Sequence, residues 1–251
     1  MEWPFALQAV ALFVVGALTG ALNVLAGGGS LLTLPLLIFF GLPATVANGT
    51  NRVGILFQSI TAIGGFRRQK MLPVGLALLC TVPAVIGSYL GARLAVDIDE
   101  ALFQRLLAFI MLGVLAFMLL DPMKKHRVDD VHFTPWRTAI LLVSFFFIGI
   151  YGGFVQAGVG FLIISGLLAQ GLDLVRINAV KVFVTLVFTV VALGVFVSHG
   201  QVNWPLGLAL AAGNGAGGWL GTHMAIKKGH DWIKKVVALV VFLFALKLLF
   251  G

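Results

Sequence analysis

The sequence predicts an all-α polytopic membrane protein made of two inverted-topology repeats of about five segments each. Three observations lead to this prediction. Hydrophobic residues make up 60% of the 251 residues and charged residues only 10%, whereas soluble domains carry about 25% charged residues. Short motifs of the first half return in the second half. Each half also combines four apolar segments that are long enough to cross a bilayer with one that is too short.

The repeat is visible as matched motifs separated by roughly 130 residues. Pro-Val-Gly-Leu-Ala-Leu at 73–78 returns as Pro-Leu-Gly-Leu-Ala-Leu at 205–210. Gly-Ser-Tyr-Leu-Gly at 87–91 returns as Gly-Gly-Trp-Leu-Gly at 217–221. Duplicated membrane halves are typical of secondary transporters, which bind substrate between the halves near the bilayer midplane.

The eight long segments each have about the 20 residues that a membrane-spanning helix needs. They are predicted at 5–26, 44–66, 73–95, 101–120, 137–157, 174–198, 204–225 and 231–250. The two short segments, 30–40 and 161–170, follow glycine clusters in corresponding positions of the halves. At about 1.5 Å per residue, neither reaches across a core of ~30 Å. We predict half-helices or re-entrant segments that line a transport site.

Basic residues predict the orientation of the segments. Lys and Arg concentrate at 67–70, 124–137 and 227–235, and the positive-inside rule places these loops in the cytoplasm. Loops that are equivalent in the repeat then lie on opposite sides, so the halves are inverted and both termini lie outside. The predicted units are a first repeat at 1–120, a cytoplasmic linker at 121–136 and a second repeat at 137–251.

Two cations, Arg52 and Lys181, lie inside predicted spans at similar depths of matching helices. No Asp or Glu lies in the interior of any span, so the sequence offers neither cation an acidic partner. An ionisable residue at mid-helix costs ~2.5 kcal/mol or more. An anionic substrate would supply the missing charge, and the alternative is that each cation pairs with main-chain carbonyls.

Polar residues and half-helix ends complete the predicted site. Asn48 and Arg52 share a helix face at i, i+4, and Asn178, Lys181 and Thr185 do so at i, i+3 and i+7. Half-helix N-termini offer free N–H groups and a partial positive charge, and Ser30 is predicted to cap the first one. The predicted substrate-binding residues are Gly27, Gly28, Gly29, Ser30, Asn48, Asn51, Arg52, Gln156, Gly158, Gly160, Asn178, Lys181 and Thr185.

The motifs Gly27-Gly28-Gly29-Ser30, Leu34-Pro35-Leu36 and Ala47-Asn48-Gly49-Thr50-Asn51 resemble the signature of the sulfite exporter TauE/SafE family, which belongs to the toluenesulfonate uptake permease group. The resemblance extends over essentially the whole chain. It implies a secondary transporter of the bacterial inner membrane that exports sulfur-containing anions such as sulfite, sulfoacetate or other organosulfonates. The second half departs from the triple glycine, and Lys181 stands where the first half has Asn51, so the half-sites differ.

Other function classes fit the residues less well. The chain lacks the serine, paired-aspartate and zinc-helix motifs of intramembrane enzymes, so no enzyme, cofactor or metal site is predicted. Its cations lie in short loops between apolar segments, which argues against nucleic acid and leaves the lipid bilayer and a small anion as partners. A passive anion channel and a transporter of non-sulfur organic anions remain alternatives. Any coupling proton would travel on the substrate or on Lys181, His199 or His223.

Overall fold

The computed structural model describes residues 3–120, 134–168 and 174–227, whose regular secondary structure is entirely α-helical. The helices are α1 (Phe5–Leu25), α2 (Ser30–Phe39), α3 (Ala44–Arg68), α4 (Val74–Val96), α5 (Glu100–Leu120), α6 (Pro135–Phe154), α7 (Val159–Leu168), α8 (Leu174–Ser198) and α9 (Trp204–Lys227). The predicted segment 231–250 and most of the predicted linker lie outside the described residues.

The helix bounds follow the sequence prediction closely. Helix α8 has the predicted bounds, and the largest difference is at α6, which ends at Phe154 instead of 157. Val155 stops this helix because its backbone is extended, with φ −136° and ψ 120°. Thr134 starts it by accepting a hydrogen bond from the Arg137 amide.

Four of the described helices, α1, α4, α6 and α8, are long and apolar enough to cross a membrane by length and composition. Helices α2 and α7 are apolar but have only 10 residues each. Helix α3 has 25 residues, like α8, but carries several buried polar side chains. The protein is therefore a multi-pass membrane protein with two short apolar helices among the long ones.

Helices from the two halves pack as two matched pairs, α1 with α9 and α4 with α6. Gly217 lies against the Ala17 carbonyl, and its repeat equivalent Gly87 lies against the Phe146 carbonyl. A Cβ atom at either glycine would collide with the opposing main chain, so these helices approach at backbone distance. Contacts advance in step along both partners, from Phe13–Gly213 to Ala17–Gly217 and from Ala84–Gly149 to Ser88–Gly153. Both pairs are therefore parallel.

Helices α3 and α8, which are equivalent in the repeat, pack against each other in opposite directions. Arg52, near the start of α3, lies over the ring of Phe196 near the end of α8. Phe66, near the end of α3, shares a buried cluster with Ala179 near the start of α8. Antiparallel packing of equivalent helices is what an inverted repeat needs. The orientation of the halves in the membrane remains a prediction.

Each short helix folds back along the long helix that precedes it. The Trp3 ring, just before α1, lies 6.0 Å from the ring of Phe39 at the end of α2. In the second half, Gly152 of α6 lies next to Val159, while Ile148 lies next to Gly166. Both α1–α2 and α6–α7 are therefore helical hairpins, as re-entrant short segments would require, and re-entry into the membrane itself stays a prediction.

The tips of the two hairpins meet at the centre of the protein. Gly27 and Gly158 have φ of 86° and 71°, values that glycine adopts without the penalty of a side chain. A Cβ atom on Gly27 would lie 2.5 Å from the Cα of Gly160, so the two main chains touch. Both tips are buried, which is the condition under which non-helical backbone is tolerated at membrane depth.

Candidate functional site at the hairpin crossing

A small cavity lies where the two hairpin tips cross, and it is lined by polar side chains together with Ile55, Val159 and Val182. Its volume is about 10 Å³, which is about the room that one water molecule needs. The polar side chains around it come from α1, α2, α3, the second tip and α8. They are Asn23, Ser30, Gln58, Ser59, Gln156, Lys181 and Thr185, and the backbone of Gly27 and Gly160 completes the lining.

Lys181 supplies the positive charge of this cavity. Its Nζ donates to the carbonyls of Asn23 at 2.9 Å and Val24 at 2.8 Å, and to Asn178 Oδ1 at 2.7 Å. Among the described residues, no other charged side chain lines the cavity. The side chain is almost fully buried. When Lys181 is protonated, the cavity has a net positive charge that main-chain and amide dipoles solvate.

Arg52 binds the second hairpin in the corresponding way. Its Nη1 donates to the Gly152 carbonyl at 3.0 Å and its Nη2 to the Gly153 carbonyl at 2.6 Å. Asn48 Nδ2 donates to the next carbonyl, that of Phe154, at 2.7 Å. These are final carbonyls of α6, which lack partners inside their helix. A helix C-terminus also carries about half a negative charge, so a cation is favourable there.

The two cations thus form a reciprocal arrangement between the halves. Lys181 of the second half binds the end of α1, and Arg52 of the first half binds the end of α6. In the described residues each of these cations binds main-chain carbonyls and neither binds a carboxylate. Main-chain carbonyls, the alternative considered from the sequence, solvate both, so burial alone does not require a bound anion.

Asn23 connects the first hairpin to α3. Its Oδ1 accepts from the amide of Gly29 at 3.0 Å, and its Nδ2 donates to Gln58 Oε1 at 3.0 Å. The prediction that Ser30 caps α2 is wrong, because Gly29 occupies the N-cap and Ser30 is already the first helical residue. The fold-back of the hairpin instead brings Asn23, from the other arm, to the amide of Gly29 at the start of α2.

The structure divides the predicted binding residues into two groups. Those at the cavity are Gly27, Ser30, Gln156, Gly160, Lys181 and Thr185. Those outside its lining are Gly28, Gly29, Asn48, Asn51, Arg52, Gly158 and Asn178. Of the latter, Asn51 accepts from the Thr33 hydroxyl at 2.6 Å, and Gly158 packs against Val114.

Gln58 and Ser59 are cavity residues that the sequence reasoning missed. They lie seven residues, or two helical turns, after Asn51 and Arg52, which places them on the same faces of α3. Polar side chains in register with an intramembrane cation were a usable signal. The polar stripe of α3 thus continues two turns past the Asn48–Arg52 pair from which the site was predicted.

Two buried polar atoms of the cavity are unsatisfied. Ser59 Oγ and Gln156 Oε1 have no hydrogen-bond partner within the described part of the chain. Gln156 Nε2 donates to Thr189 Oγ1 at 2.6 Å, which leaves its oxygen as the free end. Buried polar groups in proteins are nearly always hydrogen-bonded. These two atoms therefore mark where a small polar ligand or water would bind.

The predicted proton-coupling histidines lie away from the cavity. His199 follows the end of α8 and is exposed, with Nδ1 2.8 Å from the Val195 carbonyl. His223 of α9 is also exposed, with Nδ1 2.8 Å from the Trp219 carbonyl. In the described ranges, no group of three His, Cys, Asp or Glu side chains could hold a metal ion.

Comparison with known proteins identifies the family. The family model for Sulfite exporter TauE/SafE matches residues 12–248. The chain belongs to this family. It is therefore a membrane transporter of the TauE/SafE type, and the short glycine-led helices that predicted the resemblance are the hairpin arms at the centre of the fold.

Similar proteins share nearly the full length of this TauE/SafE chain. A "Probable membrane transporter protein" of Haemophilus influenzae is 28% identical over 245 residues, covering 95% of this chain and 93% of the relative. The "Probable membrane transporter protein YfcA" of Escherichia coli is 26% identical over 240 residues, covering 95% and 88%. A relative from Methanocaldococcus jannaschii is 26% identical over 230 residues, covering 84% of each. No solved structure matches.

Proposed function

We propose that this transporter exports small sulfur-containing anions, sulfite first among them, across the bacterial inner membrane. The observation that carries the proposal is the Lys181 ammonium at a central cavity with no acidic side chain among its described lining residues. The family match supports the substrate class. A buried cation surrounded by hydroxyl, amide and main-chain groups suits a compact oxyanion.

The cavity in its present size supports an occluded, substrate-free state. A volume of about 10 Å³ holds about one water molecule, which is too little for a sulfite ion with its three oxygens. Binding therefore requires the tips to separate. If the halves are inverted, separation toward one side and then the other is alternating access around the fixed position of the cavity.

Ligand-dependent thermal stabilisation of the purified protein tests the binding site. We expect sulfite to raise Tm in the wild type and to leave the Lys181→Gln variant unchanged, since a bound ligand stabilises only through its affinity for the folded state. Lys70→Gln removes the same charge from an exposed residue and should respond like the wild type. Equal stabilisation of wild type and Lys181→Gln would reject the proposed site.

The same assay compares ligand classes. Sulfite and sulfoacetate are expected to stabilise, whereas acetate and succinate serve as carboxylates of comparable charge. Stabilisation by the carboxylates alone would favour the non-sulfur alternative.

Counterflow in proteoliposomes separates a carrier from a passive channel. Internal unlabelled sulfite should accelerate uptake of labelled sulfite, and uptake should saturate, because a carrier exposes its site to one side at a time. Uptake that rises linearly with concentration and shows no counterflow would indicate a channel.

A further inference from the structure

We infer that the two buried cations have different functions, a division that rests on the proposed transport of anions. Lys181 exchanges its hydrogen bonds between the end of α1 and the substrate, so that anion binding releases the α1–α2 hairpin. Arg52 is a positioning residue that keeps the α6–α7 hairpin attached to α3 throughout.

The donor count of Lys181 carries the first half of the inference. An ammonium group has three N–H donors, and all three are engaged, with the Asn23 carbonyl, the Val24 carbonyl and Asn178 Oδ1. An anion that binds Nζ directly must therefore displace at least one of these acceptors. Binding at this lysine and loss of a contact inside the protein are the same event.

The two α1 carbonyls are the acceptors that an anion displaces. Asn178 lies three residues before Lys181 on α8, so it moves with the lysine. The α1 carbonyls belong to the opposite half, and they offer dipoles where an anion offers a full charge. An anion adds a direct charge–charge attraction to the ammonium that a neutral carbonyl lacks, which favours the exchange. The end of α1 then loses its cation.

Arg52 has no comparable route to exchange. Its two terminal nitrogens bind consecutive carbonyls of α6, and its guanidinium carbon lies 4.7 Å from the centre of the Phe196 ring. It is fully buried and does not border the cavity. Its Nε has no partner among the described residues, but both terminal nitrogens are engaged with α6.

The consequence is an asymmetric gate. The α1–α2 tip is held to the opposite half by an acceptor set that substrate can replace. The α6–α7 tip is held by the planar guanidinium group of Arg52 and by the side-chain amide of Asn48. Neither side chain lines the cavity. Of the two repeat-related hairpins, the first opens on anion binding and the second serves as the fixed wall.

Amide hydrogen exchange of the full chain in lipid nanodiscs, with and without sulfite, tests the release. We expect sulfite to accelerate exchange at 23–32 by at least about three-fold, since release lowers the local opening free energy. Exchange at 152–160 should stay unchanged. Slower exchange at both tips, as for a ligand that only tightens the protein, would overturn the inference.

The Lys181→Met variant separates this inference from the proposed function. It removes the cation from the α1 carbonyls, so exchange at 23–32 should be fast without sulfite and indifferent to it. Lys181→Arg retains donors for these carbonyls and should restore slow exchange. If sulfite stabilises the wild type but exchange in Lys181→Met stays slow, the proposed function stands and the proposed release of the α1–α2 hairpin is rejected. If sulfite neither stabilises the wild type nor alters its exchange, both fail.

Arg52→Lys tests the positioning residue. Lysine keeps the charge but not the fork that binds two carbonyls, so exchange at 152–160 should accelerate while sulfite affinity stays within about tenfold of wild type, or 1.4 kcal/mol. A larger loss of affinity with an unchanged tip would place Arg52 in the substrate site and overturn the division.

Discussion

At the scale of single residues, main-chain oxygens solve the problem of burying a charge. Lys181 and Arg52 bind carbonyls at the ends of α1 and α6 instead of carboxylates. Helix ends are suitable because their last carbonyls need donors and carry a partial negative charge. Neutral acceptors solvate the cation without cancelling its charge. An anion can therefore still bind, which a carboxylate partner would oppose.

Placing a carboxylate in the cavity should block anion binding. Gln58 lines the cavity with Lys181, so Gln58→Glu introduces an internal anion beside the ammonium. We expect stabilisation by sulfite to be lost near neutral pH, because the new carboxylate occupies the charge that sulfite needs. Gln69→Glu makes the same change at an exposed residue and should leave the response intact. Undiminished stabilisation in Gln58→Glu would exclude Gln58 from the site.

At the scale of elements, the hairpins depend on the main-chain contact between their tips. Gly27 has a positive φ and touches Gly160, so no side chain fits between the tips. Long apolar helices could form separately in a bilayer. The short arms are buried only when the two tips meet. The cavity lies where these tips meet, with Gly27 and Gly160 in its lining.

Gly27→Ala should be strongly destabilising. Left-handed backbone costs a residue with a Cβ roughly 1–2 kcal/mol, and the added methyl group would also overlap the Gly160 main chain. We expect a fall in Tm of at least about 4 °C, measured by thermal unfolding in detergent. Gly75→Ala is the matched control, since its Cβ meets no atom within 4 Å. Similar Tm values for the two variants would show that the tips do not touch.

At the scale of the whole molecule, helix directions support the inverted repeat predicted from loop charges. Equivalent helices α3 and α8 run antiparallel, and equivalent hairpins return along their own long arms. Inversion requires an odd number of crossings per half, which re-entry of the short arms would leave in the first half. The basic residues of the loops and the directions of the packed helices are independent observations.

Cysteine labelling tests this topology. In a Cys80→Ala background, Gln69→Cys after α3 and His199→Cys after α8 should react with a membrane-impermeant reagent from opposite sides. Residue 69 is expected to label only in inside-out vesicles, because its loop is basic, and residue 199 only in intact cells. Labelling of both from one side would reject the inverted repeat. Both positions are exposed and Cys80 is buried, so each signal reports its own loop.

The sequence by itself determined the features that depend on neighbouring residues. Helix bounds follow from runs of apolar residues and from the glycine, proline and polar residues between them. This is why the bounds of α8 and of the short α2 were predicted to within about one residue. The repeat and the family followed from the same local motifs. Lys181 was found because a charge inside an apolar run is conspicuous wherever the chain folds.

Only the tertiary structure decided which groups each polar side chain binds. Lys181 and the Val24 carbonyl are 157 residues apart, and no local pattern encodes a contact of that separation. The structure likewise places Arg52 at the end of α6 and Gln58 at the cavity. The apolar pattern along the chain fixes the helices. The hydrogen-bond partners of the buried polar side chains are fixed only when the two hairpins cross.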